Sequence, residues 1–434
     1  MKQKNIYDLI GIGIGPYNLG LAALIDEQDI LDAIFFEQNA TFQWHPGMLI
    51  ERTDLQVPFL ADLVTLANPK SHYSFLNYLH TQNRLYPFYF FHRFEIPRKE
   101  YDAYARWVIE QLSSCHLKSE VVDVIDHQDH FEVKVKHWDK DEVKSYLAKH
   151  VVMGTGSKPA TPSGTNGLPL EDIHHTSQYL FHKERTQKAK SITIIGSGQS
   201  AAEVFYDLLK EQDYYDYHLT WLTRSTGLLQ LDASKIGQEV FSPDYVDYFH
   251  DLPFDQRIEA LDKLGQLRKG IDAITLHKIY EWLYHKSVDG NKLEITIQPL
   301  TELNNIERKD TDYQLVCNQW QEGSTFTFTS EKVILATGYK PNIPDWFLER
   351  FSKRIAWEDE KRYQVTRDYR LVFHEEVDRS NHFFTLTNLE HSHGSGATNL
   401  ALAVDRNVHI INKIAGQEIY RAKQDTLFTQ FTKK

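Results

Sequence analysis

The sequence YDLIGIGIGPYNLGLAALIDE, residues 7–27, decides the fold prediction. A short apolar run with the length of a buried parallel strand ends at glycines, and an apolar, helix-like segment follows directly. Gly13, Gly15 and Asn18 occupy the G-x-G-x-x-G frame, with Asn18 in place of the last glycine. The first glycine permits a tight turn, and the second lets a pyrophosphate approach the start of the helix. The pattern therefore predicts a βαβ unit that binds a dinucleotide.

The strand that follows this unit ends in an acidic residue. AIFFE at 33–37 is apolar and ends at Glu37, twenty-four residues beyond Gly13. An acid in this position accepts hydrogen bonds from the ribose of a bound adenosine. Three neighbours of the two motifs are assigned to the same predicted site: Pro16, Leu19 and Gln38.

A second copy of the pattern begins at residue 191. SITIIGSG at 191–198 runs into the helix-like QSAAEVFYDLLKE, with Gly196, Gly198 and Ala201 in the glycine frame. The next strand-like run, HLTWLTRS, presents Arg224 at its end instead of an acid. A guanidinium suits bidentate capture of a 2′-phosphate, which favours NADPH over NADH; the alternative is an exposed arginine without a ligand. Three residues at the start of the helix complete this predicted site: Gln199, Ser200 and Glu203.

The rest of the chain supplies further strands and a helical segment. HVVMGTG at 150–156 and KVILATG at 332–338 are strands that end in a glycine turn, and strand-like runs alternate from 292 to 336. The tail holds a strand, FFTLTN, a polar glycine loop and a helix, LALAVDRNVHIINKIA. We predict an α/β fold of two Rossmann-like dinucleotide-binding domains with a small helical insertion. The first domain comprises 1–163 and 337–434, the second 164–243 and 287–336, and the insertion 244–286.

Composition excludes several classes of protein. The 434 residues carry 48 Lys and Arg against 60 Asp and Glu, and the net charge of −12 argues against general binding of nucleic acid. Apolar runs are too short to span a bilayer, so we expect a cytoplasmic protein with no membrane partner. The two cysteines are far apart and no HExxH is present, so we expect neither a disulfide framework nor a metal site.

Two nested dinucleotide folds are the arrangement of the two-dinucleotide-fold flavoproteins. GTGSKP at 154–159 and ATGYKP at 336–341 match the segments that link the FAD and NAD(P)H domains of such enzymes. Thiol and disulfide reductases with this layout need a paired cysteine, which is missing here. Baeyer–Villiger oxygenases carry a His followed by Trp-Pro between the glycine motifs, whereas this linker reads HHTSQYLF at 174–181. Neither class fits.

Several longer motifs resemble the flavin-dependent N-hydroxylating monooxygenases of siderophore biosynthesis. They follow one another in the same order over nearly the whole chain: F-x-W-H-P-G-M at 42–48, LQVPFLADLVTLANPKSHYSFLNYL at 55–79, PRKEYDAYARW at 97–107, HTSQY at 175–179, GSGQSAAE at 196–203 and the HG…NLALA…RN tail at 393–407. The resemblance implies that the first domain binds FAD and the second NADPH. In that family reduced FAD reacts with O2 to give a C4a-hydroperoxyflavin, which transfers oxygen to a primary amine and yields a hydroxylamine.

The resemblance also places residues around the flavin. Trp44, His45 and Gln56 would lie about the isoalloxazine ring, and the loop with His393 and Gly394 would cover its other side. Asn399 and Leu400, at the end of that loop, belong to the same expected site. Each has an alternative: Trp44 could be a core residue, His393 a loop histidine with its hydrogen bonds satisfied, and Asn399 a helix cap.

The reaction needs a neutral amine. A free alkylamine has a pKa of about 10.4 and is protonated at neutral pH. Desolvation among apolar groups favours the neutral form, and VPFLADLVTL at 57–66 could supply such a wall; the alternative for this segment is plain core packing. No Ser/His/Asp or metal constellation is evident in the sequence, which suits a reaction whose chemistry the flavin carries.

One position departs from the amino-acid hydroxylases of the family. The ornithine and lysine enzymes have a lysine before the aspartate of this block that pairs with the substrate α-carboxylate, whereas this sequence has Ala61. A buried carboxylate without a partner costs several kcal/mol, so we expect an amine that lacks this group. The block 55–79, SPDYVDYFHDLP at 242–253 and KGI at 269–271 resemble the diamine hydroxylases, which favours putrescine or cadaverine. The expected substrate contacts are Gln56, Ala61, Gln238 and Lys269.

Alternatives to this substrate and to this function remain open. Histamine is the nearest alternative amine, because an imidazole could replace the distal amine. Ornithine or lysine would fit if another cation binds the carboxylate, such as Lys235, Arg268 or Lys269. A nucleotide-binding sensor of the same fold is the competitor that is not an enzyme. The family resemblance further implies a homo-oligomer, either a dimer or a tetramer.

Overall fold

The computed structural model describes residues 6–162, 164–165, 167–290, 292–374, 379–422 and 425–433. Up to residue 153 the elements are β1 (Ile6–Ile12), α1 (Pro16–Asp26), β2 (Ala33–Phe36), β3 (Asp54–Pro58), α2 (Phe75–Thr81), α3 (Leu85–Phe91), β4 (Glu95–Pro97), α4 (Arg98–Ile109), β5 (Cys115–His116), β6 (Ser119–Asp126), β7 (Phe131–His137) and β8 (Glu142–Met153). Helices and strands are interspersed, as in an α/β protein.

The middle of the chain continues with β9 (Ser157–Pro159), β10 (Ile173–His175), α5 (Tyr179–Thr186), β11 (Ser191–Ile195), α6 (Gln199–Glu211), β12 (His218–Leu222), α7 (Pro243–His250), α8 (Phe254–Lys263), α9 (Ala273–Lys286), β13 (Ile295–Gln298), β14 (Thr301–Lys309), β15 (Asp312–Gln319), β16 (Ser324–Ser330) and β17 (Lys332–Leu335). The last elements are β18 (Tyr339–Pro341), α10 (Asp345–Phe351), β19 (Phe383–Thr385), α11 (Glu390–His393) and α12 (Leu400–Ala415).

The first sheet joins strands from both ends of the chain. Its order is β5-β2-β1-β8-β7-β6, and β1 pairs in parallel with β2 and β8, so that Ile10 lies beside Ile34 and Val151. The long strand β8 pairs with β7 in the antiparallel direction over Glu142–Ala148 and with β19 in the parallel direction over Val151–Met153. Ile10, Ile34 and Val151 are fully or almost fully buried, which explains the continuous apolar runs around them.

The second sheet is parallel and has the order β10-β17-β11-β12-β13. Its strand β11 carries the second glycine pattern, and Ile194 pairs with Trp221 on one side and Ile334 on the other. The prediction of an α/β fold is therefore confirmed. The meander β14-β15-β16 beside this sheet agrees with the strand-like runs predicted after residue 292, except that β14 is not evident from the sequence pattern.

The two segments that link the sheets pair with each other. Strand β9 follows β8, strand β18 follows β17, and the two form an antiparallel pair in which Tyr339 lies opposite Pro159. These are the GTGSKP and ATGYKP segments of the sequence, 154–159 and 336–341. The chain therefore leaves the first sheet and returns to it through adjacent strands.

Helices α7, α8 and α9 occupy the segment with helical spacing and connect the two parts of the chain. Helices α7 and α8 pack against α11, whereas α9 packs against α6. The buried Arg257 of α8 donates hydrogen bonds to His391 O (3.0 Å) and to Glu358 Oε1 (2.8 Å). The helical segment thus contacts both the C-terminal loop and the helix after the second glycine turn. The polar glycine loop predicted at 391–399 is largely buried, and its first three residues belong to α11.

A buried carboxylate organises the turn between β3 and α2. Asp62 accepts hydrogen bonds from the backbone N–H groups of Val64 (3.0 Å), Thr65 (2.6 Å) and Phe75 (2.8 Å), and from the Thr65 hydroxyl. Burial raises the pKa of Asp62, and these donors oppose the rise. The carboxylate therefore ties the turn that carries Ala61 to the start of α2.

Replacing Asp62 with alanine should lower the free energy of unfolding by about 3–5 kcal/mol, because several buried donors lose their acceptor. Chemical denaturation followed by circular dichroism measures this change. The matched control is Asp129→Ala, which removes an exposed carboxylate and should change the value by less than about 0.5 kcal/mol. A loss below about 1 kcal/mol for Asp62→Ala would contradict this interpretation.

Candidate active site

The first glycine turn leaves open space at the start of α1. Gly13 has φ +83°, and a Cβ there would lie 2.6 Å from the carbonyl oxygen of Gly154, so this position accepts only glycine. At Gly15, which caps α1, no atom of the described residues lies within 4 Å of the point that a Cβ would occupy. The free space in front of the helix N-terminus fits the pyrophosphate of a dinucleotide.

Asn18 ties the turn to the neighbouring strand. Its buried side-chain amide donates hydrogen bonds to Gly13 O (2.7 Å) and Ile12 O (3.2 Å), and it packs against Gly154. This contact explains why asparagine replaces the third glycine of the frame. Its Oδ1 is buried and has no hydrogen-bond partner among the described residues, which suits a polar ligand or water at the turn.

Glu37 holds the loop that faces this turn. Its Oε2 accepts a hydrogen bond from Ile14 N (2.9 Å) and its Oε1 from Asn39 N (2.9 Å), and the residue keeps partial access to solvent. The carboxylate is thus fixed beside the glycine turn, where a ribose is expected. Gln38 next to it is exposed, Pro16 begins α1, and the side chain of Leu19 is fully buried in the core.

Trp44 and His45 lie in a cluster of aromatic rings. The Trp44 ring lies 4.9 Å from Tyr101 and 5.0 Å from His45, centroid to centroid, and its backbone N donates to Asp102 Oδ1 (2.7 Å). His45 is open to solvent on one side, yet desolvation and then the charge of Arg98 lower its pKa to about 4. The His45 ring is therefore neutral at neutral pH.

An ion pair joins the surroundings of this aromatic cluster to the second glycine motif. Arg98 donates to both oxygens of the buried Glu203 carboxylate, each at 2.7 Å. Tyr339, from the second linking segment, lies near the rings of His45 (5.9 Å) and His175 (4.9 Å). Sequence reasoning does not single out Arg98 or Tyr339, although both stand in quoted motifs, because their partners are distant in the chain.

His393 is a buried histidine with satisfied hydrogen bonds. Its Nδ1 accepts from the Ser392 hydroxyl (2.8 Å), its Nε2 donates to Arg367 O (3.2 Å), and its ring stacks on Tyr369 at 4.2 Å. Burial holds its pKa well below the usual value, so the ring is neutral. These contacts are those of the alternative given for His393, a loop histidine with its hydrogen bonds satisfied. Its neighbour Gly394 has φ +79° and faces the rings of α7.

The start of α12 lies beside the start of α1. Asn399 caps α12 by accepting a hydrogen bond from Ala401 N (2.8 Å), and Leu400 is the first helical residue. The Tyr17 hydroxyl donates to Thr398 O (2.7 Å), which connects the two helix ends. Asn399 therefore acts as a helix cap, and its position next to Tyr17 keeps it close to the first glycine turn.

The second glycine turn repeats the geometry of the first. A Cβ on Gly196 would lie 2.2 Å from the carbonyl oxygen of Ala336, whereas no described atom lies within 4 Å of one on Gly198, the cap of α6. Two of the predicted NADPH residues use their side chains elsewhere. The Gln199 amide binds Asp272, and Glu203 binds Arg98. Ser200 is partly exposed at the first turn of α6.

Arg224 is available to a ligand. Its exposed guanidinium lies 3.7 Å from the Glu302 carboxylate, and its carbonyl oxygen accepts a hydrogen bond from the Trp320 indole (2.7 Å). A surface pair at this distance is weak, so the guanidinium can turn to a phosphate at little cost. The side chain follows β12, the position that the ribose end of a dinucleotide occupies.

The four predicted substrate residues lie on separate segments. Gln56 is exposed on β3, and Ala61 is only 5% exposed in the turn after it. Gln238 is half-buried before α7, and Lys269 is exposed before α9. Among the described residues, no group of histidines, cysteines and carboxylates is arranged to hold a metal ion, and no helix has the length and apolarity to cross a bilayer.

The model of the L-lysine 6-monooxygenase/L-ornithine 5-monooxygenase family matches residues 5–341. The chain belongs to this family. It is 37% identical to a putrescine N-hydroxylase of Acinetobacter baumannii over 433 residues, which cover 99% of this chain and 95% of that protein. The family resemblance inferred from the motifs is therefore confirmed.

Two solved structures extend the comparison. The FAD-bound cadaverine monooxygenase of Erwinia amylovora superposes with a TM-score of 0.93 at 36% identity, covering 99% of each chain. The Kutzneria ornithine N-hydroxylase with reduced FAD, NADP+ and L-ornithine gives a TM-score of 0.87 at 26% identity, covering 94% of this chain and 99% of that one. The chain is a flavin N-monooxygenase that uses FAD and NADPH, as the motifs indicated.

Gly15→Ala should give folded protein that is largely free of FAD, because a methyl group fills the space in front of α1. The absorbance of flavin per protein chain measures the loss. Gly198→Ala is the matched control: it should keep its flavin and raise the KM for NADPH. Full flavin content in the Gly15 variant would contradict the placement of FAD at the first turn.

Arg224→Ala should raise the KM for NADPH at least tenfold and leave the KM for NADH within about twofold, because only NADPH offers a 2′-phosphate to the guanidinium. Steady-state oxidation of both nucleotides gives the two values. Glu302→Gln is the control, since it removes the weak partner and keeps the guanidinium. Equal losses with both nucleotides would rule out this role for Arg224.

Proposed function

We propose that this enzyme N-hydroxylates a primary diamine without an α-carboxylate, putrescine or cadaverine, for a hydroxamate siderophore. The pattern of similarity supports the proposal. Identity is 37% with the putrescine enzyme and 36% with the cadaverine enzyme, but 26% with the ornithine enzyme. Histamine is the second candidate amine, because it too lacks the carboxylate.

The buried side chain of Ala61 is the observation that carries this proposal. An alanine that is 5% exposed offers neither charge nor a hydrogen-bond donor to a substrate carboxylate. One alternative cation, Arg268, forms an ion pair with Glu390. Lys235 and Lys269 are exposed and stay in water, where they would neutralise a buried carboxylate poorly. A carboxylate-free amine avoids this desolvation cost.

Desolvation also explains how the amine becomes reactive. Desolvation and the charge of Arg98 hold the pKa of His45 at about 4. An amine nitrogen bound close to this ring and to Arg98 would experience the same two effects and would lose its proton more readily than in water, which exposes its lone pair. Bound flavin supplies oxygen transfer, and the protein's task is to orient the amine, exclude water and keep the nitrogen neutral.

We assign the two nucleotides to the two glycine turns. FAD would lie at Gly13 and Gly15 in the first domain, 1–163 with 337–434, between the aromatic cluster around Trp44 and the loop that ends at Asn399. NADPH would lie at Gly198 and Arg224 in the second domain, 164–243 with 287–336. The helical insertion, 244–286, contacts both α11 and α6 and would close the amine site between them.

Product analysis across a panel of amines tests this proposal. With NADPH and O2, putrescine or cadaverine should give an N-hydroxylated product at a kcat/KM at least tenfold above that for ornithine, lysine or histamine. Mass spectrometry identifies the product, and NADPH oxidation without product marks uncoupled turnover. Ornithine or lysine exceeding every carboxylate-free amine would overturn the proposal. NADPH oxidation that no amine accelerates would favour the alternative of a nucleotide-binding sensor that is not an enzyme.

Ala61→Lys should depress diamine turnover at least tenfold, because a buried ammonium repels the distal ammonium of the substrate. Ala61→Met is the matched control, since it adds similar length without charge. Steady-state kcat/KM for the preferred diamine measures both variants. Equal losses in the two variants would show that space, rather than charge, limits this position.

A further inference from the structure

Residues 425–433 lie along helix α7 and contact the turn that carries Gln238. None of these nine residues, all of which the structure describes, belongs to a helix or a strand. Four of their backbone N–H groups donate instead to two carboxylates, those of Glu239 and Asp244. We call residues 425–433 the strap. Its backbone is therefore bound to the protein mainly through acidic side chains next to a predicted substrate contact.

The two carboxylates hold the strap at separate points. Asp244, in the first turn of α7, accepts hydrogen bonds from Asp425 N (2.8 Å) and from the Thr426 hydroxyl (2.7 Å). Glu239 accepts a hydrogen bond from Thr429 N (2.8 Å) through its Oε2. Hydrogen bonds to an ionised acceptor are stronger than those between neutral groups. The strap is thus fixed both to α7 and to the turn before it.

An aromatic contact adds a third point of attachment. The Phe431 ring lies 4.9 Å from Tyr245 and 6.0 Å from Tyr248, centroid to centroid, and both tyrosines belong to α7. Tyr245 and Phe249 of the same helix also pack on Gly394, 3.4 and 3.3 Å from the point that a Cβ there would occupy. Helix α7 therefore contacts both the strap and the loop that the family resemblance places over the flavin.

The turn that carries Gln238 depends on contacts that follow it in the chain. Gln238 directly precedes Glu239 in a short 3-10 turn, Gly237–Val240. The five residues before this turn, 232–236, are all exposed. A segment with few buried contacts opens locally at little free-energy cost. The position of Gln238 is therefore set mainly by α7 and by the strap that Glu239 binds.

The strap itself contributes little to the apolar core. Leu427, Thr429 and Phe431 are half-buried, the other residues of the strap are exposed, and Phe428 is 98% exposed. Because the stabilisation from burial scales with the apolar area removed from water, loosening the strap should cost the fold little. Its effect should fall instead on the turn and the helix that it holds.

We propose that the strap is a positioning element for the amine site, which holds the turn with Gln238 in the arrangement that receives the substrate. The inference rests on the proposed function, in which the amine lies beside the helical insertion and Gln238 is among its expected contacts. With the strap detached, only a fraction of the molecules would present Gln238 correctly. The apparent dissociation constant for the amine then rises as the reciprocal of that fraction, whereas the two glycine turns keep their structure.

Phe431→Ala tests the proposal in the FAD-loaded enzyme, with the primary amine that the wild type hydroxylates best. The KM for the amine should rise at least fivefold, while kcat, the KM for NADPH and the flavin content stay within about twofold of wild type. Steady-state formation of the hydroxylamine gives these values. Phe431→Tyr keeps the ring and should restore the wild-type KM. The matched control is Phe428→Ala, which removes the same side chain from an exposed position of the strap and should change nothing.

Thr429→Pro is a second, independent variant. Proline has no backbone N–H, so this change removes the hydrogen bond that Glu239 accepts and leaves the Phe431 side chain in place. It should raise the KM for the amine in the same way, again with the KM for NADPH unchanged.

Two results would overturn the role of the strap even if the wild type hydroxylates a diamine as proposed. One is a wild-type KM for the amine in both Phe431→Ala and Thr429→Pro. The other is an equal rise in the KM values for the amine and for NADPH, which would indicate a general loss of structure. A wild type that hydroxylates no amine would instead refute the proposed function, and this inference with it.

Discussion

Close approach of backbone to backbone at two glycines is the constraint on which the rest of the structure depends. A Cβ on Gly13 would meet the carbonyl of Gly154, and a Cβ on Gly196 would meet that of Ala336. Each contact lies where one strand ends in its glycine turn and the neighbouring strand begins its linking segment. The two contacts lie at the starts of the two linking segments. These segments pair as β9 and β18, and the chain passes between its two sheets through this pair.

The second glycine of each motif makes no such close contact with the described residues. Gly15 and Gly198 face open space at the starts of α1 and α6, where the helix ends offer unpaired N–H groups to an anion. Arg98 and Glu203, 105 residues apart in sequence, then join the aromatic cluster around Trp44 to the helix after the second glycine turn. The elements that hold the two sheets together are thus the same ones to which we assign the nucleotides.

Desolvation lowers the pKa of both histidines of the predicted flavin site. Burial keeps His393 neutral, and desolvation together with the charge of Arg98 lowers the pKa of His45 to about 4. In the proposed function, the same effects would favour the neutral form of a substrate amine without a strong base. A buried carboxylate beside Ala61 would find no cationic partner in that side chain, so the proposed substrate lacks this group.

Local patterns predict the fold well because each strand, turn and helix carries its own signal. Helix α12 begins at Leu400 and ends at Ala415, as its apolar spacing and the Asn399 cap indicate. Long-range pairing is not predictable in this way: nothing in the motif around Glu203 reveals that its partner is Arg98.

The burial of a polar segment is also not evident from the sequence. The 391–399 segment is polar and rich in glycine, which predicts a loop. Its histidines are in fact enclosed by Tyr363 and Tyr369, which lie more than twenty residues away. Strand β14 escapes prediction because its charged residues weaken the alternating pattern.

The central claim is that the site transfers one oxygen atom from O2 to a carboxylate-free amine. Mass spectrometry of the product formed from putrescine and NADPH under 18O2 tests it most directly. Oxygen transfer from a flavin should give a hydroxylamine that carries one 18O atom, formed only when NADPH and flavin are present. A hydroxylamine without 18O, or hydrogen peroxide as the sole reduced product with every diamine supplied, would contradict it.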